Sequence, residues 1–147
     1  MQPGNSNQAY QSSQKLGTAA RQTETRALLE AARRMDEAIA GEDPDAFRAA
    51  LRLNWRLWTI IQADVSSEES LLPDDVRQNI LSLSVFIDKH TVDALAEPVG
   101  RKLRVLIDIN RNIARGLMES ADEVDDAEQE TPAASAATTI SDNDVLA

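Results

Sequence analysis

The segment that decides the fold is LRLNWRLWTII, residues 51–61, which holds both tryptophans and is the densest apolar run of the chain. On a helix of 3.6 residues per turn, its large apolar side chains recur at steps of three and four. With the flanking turns included, one arc comprises Phe47, Leu51, Trp55, Trp58, Ile61 and Val65, and an adjoining arc comprises Leu53, Leu57 and Ile60. A helix that is apolar around more than half of its circumference normally has neighbours on two sides. The segment therefore predicts the central helix of an all-α domain.

Boundary signals place three further helices around it. A first, Ala-rich helix is expected to start at Thr18 or Thr23 and to stop at Gly41. Its narrow stripe of Leu, Ala and Met side chains buries little area, so it should be the weakest of the set. The sequence predicts a compact bundle of about four helices.

The remaining helix starts are marked by proline. Asp43-Pro44 supplies a cap and a first helical residue for the tryptophan helix, and Pro73 is expected at the first helical position of the third. Glu97-Pro98 ends the third helix and opens the fourth. Apolar residues on both sides of the third helix, with Val85 and Val92 on the second side, indicate that it too is buried on two sides. The predicted core consists of Leu51, Trp55, Trp58, Ile61, Ile80, Leu83, Ile87, Leu103, Leu106 and Ile113.

Charge divides the chain into a nearly neutral body and an acidic tail. The net charge is −10, yet residues 1–118 hold 16 acidic and all 15 basic residues. Residues 119–147 hold nine acids and no base, and they lack any helical period. We therefore expect a flexible polar segment at 1–17, a helical domain at 18–118 and a disordered tail at 119–147. Because the body has no basic excess, direct nucleic-acid binding is not expected.

Composition also limits compartment and chemistry. The chain has no cysteine, and no run of apolar residues approaches the length of a signal peptide core or a membrane span. A cytoplasmic protein without membrane attachment, cofactor or metal is the expectation. His90 is the only histidine and has no nucleophile or orienting partner in a recognisable motif, so we expect a structural histidine and no enzymatic activity.

Two asparagines interrupt the apolar faces. Asn54 lies within the face of the second helix, and Asn110 lies at the centre of that of the fourth. A buried amide costs about 1–3 kcal/mol unless its hydrogen bonds are made. Either the two amides bond across the core and fix the helix register, or they line a groove that a partner completes.

Arg48, Arg52 and Arg56 form an arginine stripe at successive i,i+4 positions of the second helix. Like charges at this spacing are mildly unfavourable by themselves. The stripe is explained by a solvated face, by the acidic surface of a partner, or by shielding from the chain's own acidic tail.

Several short segments occur in a characteristic order along the chain. They are Tyr10, RQTE (21–24), RLWT (56–59), LPDDVR (72–77), ILSLS (80–84) and DINRNIARGL (108–117). Together these segments resemble the FlaF family of flagellar biosynthesis regulators, over roughly residues 9–118 and without the acidic tail.

This resemblance implies a small cytoplasmic helical protein that promotes flagellin production. Members of the family act with or against the regulator FlbT and are linked to flagellin translation and to chaperoning flagellin before export. The expected function is flagellin binding by exposed parts of the second and fourth helices, with the arginine stripe, Asn54 and Asn110 contributing to that surface. The alternative is a post-transcriptional regulator that acts on the flagellin message or with FlbT, and a third possibility is a generic helical adaptor.

Overall fold

Four helices make up nearly all of the chain that the computed structural model describes, namely the backbone of residues 3–119 and the side chains from residue 21 onward. Helix α1 is Pro3–Gly41, α2 is Pro44–Ser66, α3 is Asp74–Ala96 and α4 comprises residues 100–119. No strand occurs in this part of the chain. The predicted all-α bundle is confirmed. The predicted acidic tail lies outside the described residues, apart from Glu119 at the end of α4.

Helix α1 starts earlier than the sequence indicated, at Pro3 instead of Thr18 or Thr23. Proline suits a first helical position because the backbone N–H it lacks would have no partner there. The polar composition of residues 4–17 limits the apolar area they can bury, but it contains no second proline to interrupt the helix. Residue 18 is therefore not a helix boundary.

The end of α1 also differs in detail. Gly41 is the last helical residue, and the left-handed conformation that ends the helix is adopted by Glu42, with φ of 54°. The Glu42 N–H donates to the carbonyl oxygens of Ala38 and Ile39 at 3.1 and 3.2 Å. The glycine thus lies one position before the residue that needs glycine's freedom.

The start of α2 follows the predicted cap. The Asp43 side chain accepts a hydrogen bond from the Asp45 backbone N–H at 3.0 Å, and Pro44 is the first helical residue. Pro73 is the residue immediately before α3, whose first turn carries Asp74 and Asp75. Carboxylates at that end favour the helix because its dipole is positive there.

Contacts between α1 and α4 show that these helices run antiparallel. Leu28 contacts Asn110, Asp36 pairs with Arg104, and Ile39 lies next to Gly100. The residue numbers of α4 therefore fall as those of α1 rise. A two-residue link between α1 and α2 makes those helices antiparallel as well. It follows that α2 and α4 run in the same direction.

One face of each helix contributes to a single core, whose largest fully buried side chain is Trp58. The members of the predicted core that are buried are Leu51, Trp58, Ile61, Ile80, Ile87, Leu103 and Leu106. Trp55, Leu83 and Ile113 are instead half-buried at its edges.

Trp55 departs from the predicted arc because each step of four residues advances a helix by about 40° beyond a full turn. The buried face of α2 is therefore centred on Asn54 and Trp58, and Trp55 lies at the boundary with α3. There its indole N–H donates to Asp88 Oδ1 at 2.9 Å. This edge position supplies the polar partner that an indole needs.

Candidate partner-binding surfaces

A hydrogen-bonded cluster of polar groups lies in the middle of the core. Asn110 Nδ2 donates to Asn54 Oδ1 at 2.7 Å and to the Leu28 carbonyl oxygen at 3.2 Å. Asn110 Oδ1 accepts from the Trp58 indole N–H at 2.9 Å. Both amides have no exposed surface. Of the two interpretations, the structure therefore favours bonding across the core. The placement of Asn54 and Asn110 on a partner surface was wrong.

The same cluster fixes which way α2 and α4 point. Asn54 lies at the centre of the buried face of α2, and Asn110 lies at the centre of the buried face of α4. Because the two side chains meet, the buried faces of these helices point toward each other. Their outward faces consequently lie on opposite sides of the bundle. One partner helix cannot contact both, so the predicted joint surface of the second and fourth helices is corrected.

The arginine stripe lies on the outward face of α2. Arg48 is paired weakly with Asp45, with 3.6 Å between Nη1 and Oδ1. Arg52 and Arg56 are exposed, and neither makes an ion pair or a side-chain hydrogen bond with any residue in the described range. The stripe is therefore a basic surface that its own helix neutralises only in part.

Large apolar side chains are exposed on the outer side of α3 and on the adjoining edge of α4. The exposed fractions are 48% for Val85, 47% for Phe86, 55% for Val92 and 38% for Val105. We call these four residues the α3–α4 apolar surface. The prediction that α3 is buried on two sides is wrong, because only the face carrying Ile80, Ser84, Ile87, Thr91 and Ala94 is buried.

Contacts of His90 join α3 to α4. The His90 ring stacks on Phe86, with 5.4 Å between ring centroids, and its Nε2 donates to the Lys102 carbonyl oxygen at 2.8 Å. His90 thus has a structural position between α3 and α4.

Lys102 holds the same pair of helices together at their ends. Its Nζ is 2.9 Å from Asp93 Oδ2 and 3.2 Å from Glu97 Oε2. The hydrogen bond between Lys102 and Asp93 lowers the pKa of the Asp93 carboxyl. The same bond raises the pKa of the Lys102 ammonium. These contacts join the last part of α3 and Glu97 to the first turn of α4.

A shallow cleft of ≈ 310 Å³ separates α1 from α2 on the outside of the bundle. Its walls consist mainly of alanine, and the lining residues are Arg34, Glu37, Ala38, Ala46, Ala49, Ala50 and Leu53. Small side chains permit close approach of another backbone but offer little apolar area. Sequence reasoning missed this cleft because alanines give a weak periodic signal.

Glu24 of α1 and Asp64 of α2 form a carboxyl pair near the opposite end of these helices. Burial, the hydrogen bond to Asp64 and the negative charge of Asp64 together raise the pKa of Glu24 from 4.5 to about 7, and Arg21 opposes the shift. One shared proton lets two carboxyl groups remain in contact.

Two further properties concern the described part of the chain only. Between residues 3 and 119, no group of three or more His, Asp or Glu side chains is placed to hold a metal ion. Within the same range, none of the helices combines the length and the apolar character that crossing a bilayer requires.

In the part of the chain that the structure describes, the fold is a small all-α bundle with a hydrogen-bonded core and large apolar side chains exposed on α3 and α4. Comparison with family models matches residues 6–117 to the family described as flagellar protein FlaF, and the chain belongs to that family. The match covers most of α1 and all of α2 and α3, and it confirms the resemblance seen in the sequence. No curated protein and no solved structure gives a significant match.

Proposed function

We propose that this FlaF-family chain is a flagellar biogenesis factor that binds flagellin in the cytoplasm and covers one of its amphipathic helices before export. The observation that carries the proposal is the α3–α4 apolar surface, which lies within the residues matched to the family. Contiguous apolar side chains on the outside of a folded domain typically mark an interaction site.

The shape of the surface suits a helical ligand. Val85 and Val92 are seven residues apart and therefore share one side of α3, while Phe86 lies about 100° around the helix from Val85, next to His90 and toward α4. A partner helix with apolar residues at i, i+3, i+4 and i+7 would place its stripe along this line. Lys89, exposed between the two valines, and Asp93 supply a polar rim of both signs.

Binding at this surface would couple flagellin synthesis to export. The terminal segments of flagellin are amphipathic helices, which would otherwise expose apolar faces before assembly. A factor that covers such a face lowers the concentration of free flagellin without chemical change. A role for an FlbT-type regulator, as a direct or an indirect partner, is compatible with this scheme.

A second candidate function is favoured by one observation, the two unpaired arginines of the stripe. Arg52 and Arg56 could contact phosphates of the flagellin message, so that regulation would act on translation. Phosphate contacts release counterions, which makes affinity fall steeply with salt. Apolar helix docking lacks that steep dependence.

Co-purification of the full chain with flagellin, with and without RNase, tests the proposal. We expect flagellin to be retained after RNase treatment, with little change between low and high salt. Loss of flagellin on RNase treatment, together with a steep salt dependence of RNA binding, would support the message-binding alternative. Absence of flagellin under both conditions would contradict the proposal.

A further inference from the structure

The arginine stripe lacks enough negative charge nearby to balance it. Its three guanidinium groups lie within about 12 Å along one helix, since eight residues rise about 1.5 Å each. Asp45 contacts Arg48 only, and Arg52 and Arg56 have no acidic partner among the residues of known position. Within the described residues, the one ion pair of the stripe is thus at one end of it, and Asp88, beside Trp55, bonds with the indole N–H instead.

The missing charge is present further along the chain. Residues 122–130 read DEVDDAEQE, which is six acids in nine residues with no base. We call these nine residues the acidic segment. It follows the last residue of α4 in the structure by only three positions, so its location is restricted by its attachment.

The distance from α4 to the stripe is within reach of this attachment. Asn54 is level with Asn110 and the two helices are parallel, so Arg56 is level with about residue 112, roughly 10 Å below residue 119 along the axis. Because the outward face of α2 is on the opposite side of the bundle from α4, the chain must pass around α1 or α3, which adds roughly three helix diameters, or about 30 Å. About nine to ten extended residues span that length. Counted from residue 119, this distance ends at the C-terminal part of the acidic segment, which carries Glu128 and Glu130.

We propose that the acidic segment, residues 122–130, binds the arginine stripe of its own chain. Its C-terminal part lies on the outward face of α2, where the carboxylates of Glu128 and Glu130 pair with Arg56 and Arg52. This inference does not depend on the proposed function, because it concerns a contact within one chain.

Other arginines are less suitable for the segment. Arg104 and Arg111 of α4 already pair with Asp36 at 3.4 and 3.6 Å. Arg101 and Arg115 are 14 residues apart, with Asp108 on the same side between them. Only on α2 do three arginines repeat at i,i+4 with two of them unpaired, which matches the charge density of the segment.

A spin label placed in the acidic segment tests the contact in the full chain. Because the sequence has no cysteine, Ala127→Cys gives one labelling site. At low salt we expect the label to broaden the amide signals of residues 48–60 in a ¹⁵N spectrum. The effect should disappear in about 1 M salt, where the Debye length is about 3 Å.

Two controls separate this contact from its alternatives. Arg52→Glu with Arg56→Glu should abolish the broadening, whereas Arg101→Glu with Arg115→Glu should leave it unchanged; circular dichroism verifies that each variant retains its helices. Broadening on the outward face of α4, or none beyond residues 112–119, would overturn the proposal. So would broadening that persists when the label and the ¹⁵N are on different molecules, since the contact would then be between chains.

Discussion

The side chains of Asn54 and Asn110 meet in the centre of the bundle, with 2.7 Å between Asn54 Oδ1 and Asn110 Nδ2 and no exposed surface on either. This single contact sets the axial register of α2 against α4. It also turns the outward faces of the two helices away from each other. The position of every candidate surface follows from it.

Replacement of the two asparagines by leucine should have unequal effects. Asn110 bonds with three groups, whereas Asn54 accepts one bond and its Nδ2 has no partner. A polar group left unpaired in the core costs about 1–3 kcal/mol. We therefore expect Asn110→Leu to lower the free energy of unfolding by at least about 2 kcal/mol more than Asn54→Leu does. Chemical denaturation of both variants measures the difference, and equal losses would contradict the larger role given to Asn110.

Alanine substitutions of the two tryptophans should also cost different amounts of stability. Trp58 is 1% exposed, so Trp58→Ala is expected to cost roughly 3–5 kcal/mol, enough to unfold a marginal domain. Trp55→Ala removes a half-buried ring and one hydrogen bond at the edge, and it should cost clearly less. Thermal unfolding followed by circular dichroism compares them. A Trp58→Ala variant with a near-normal melting temperature would contradict the position given to this ring.

Most of the fold could be predicted because large apolar residues and prolines mark helices strongly. The Asp43-Pro44 start of α2 and the end of α3 before Pro98 followed from those signals. The geometry of the surfaces could not be predicted in the same way. Periodicity assigns Val85 and Val92 to a second apolar face of α3, but whether another helix covers that face depends on tertiary packing.

Polar residues in the core illustrate the same limit. Sequence alone left open whether Asn54 and Asn110 were internal or in a groove, because a buried amide and a partner-facing amide occupy identical positions in the pattern. Ser84 and Thr91 are buried on the core face of α3, where the pattern favoured Leu83. Because these side chains are small, neighbouring helices can pack closely against them. A search for periodic hydrophobic residues does not detect such positions.

Glu42 offers a test of the end of α1. A left-handed backbone costs about 1–2 kcal/mol for a residue with a side chain. Glu42→Gly should therefore raise the free energy of unfolding by about 1 kcal/mol. The matched control is Ala40→Gly, two residues earlier in the helix, which should lower it by about 1 kcal/mol. Effects of the same sign in both variants would be inconsistent with the positive φ of Glu42.

Glu24 predicts a pH dependence of stability. The pKa of Glu24 is about 7 in the folded chain and about 4.5 in the unfolded chain. Between these two pH values the folded chain therefore keeps a proton that the unfolded chain releases. The contribution of Glu24 to stability is therefore fully present below pH 4.5 and is lost as the pH rises to about 7.

The Glu24→Gln variant isolates this contribution, because the amide does not titrate. Melting temperatures of the natural chain and the variant should converge at low pH, and the natural chain should become the less stable of the two above pH 7. Thermal unfolding at about pH 5 and about pH 8 measures both. A constant difference between the two chains would mean that Glu24 titrates normally.

Calorimetric titration of flagellin into three forms of the full chain tests the α3–α4 apolar surface most directly. The forms are the natural chain, Val92→Lys and Ile60→Lys; Val92 is 55% exposed on α3 and Ile60 is 53% exposed on α2, so the substitutions differ in location but hardly in exposure. We expect Val92→Lys to weaken flagellin binding at least about tenfold, which corresponds to about 1.4 kcal/mol, and Ile60→Lys to leave it unchanged. Weakening by Ile60→Lys with normal binding by Val92→Lys would place the partner on α2 and contradict the surface proposed for α3 and α4.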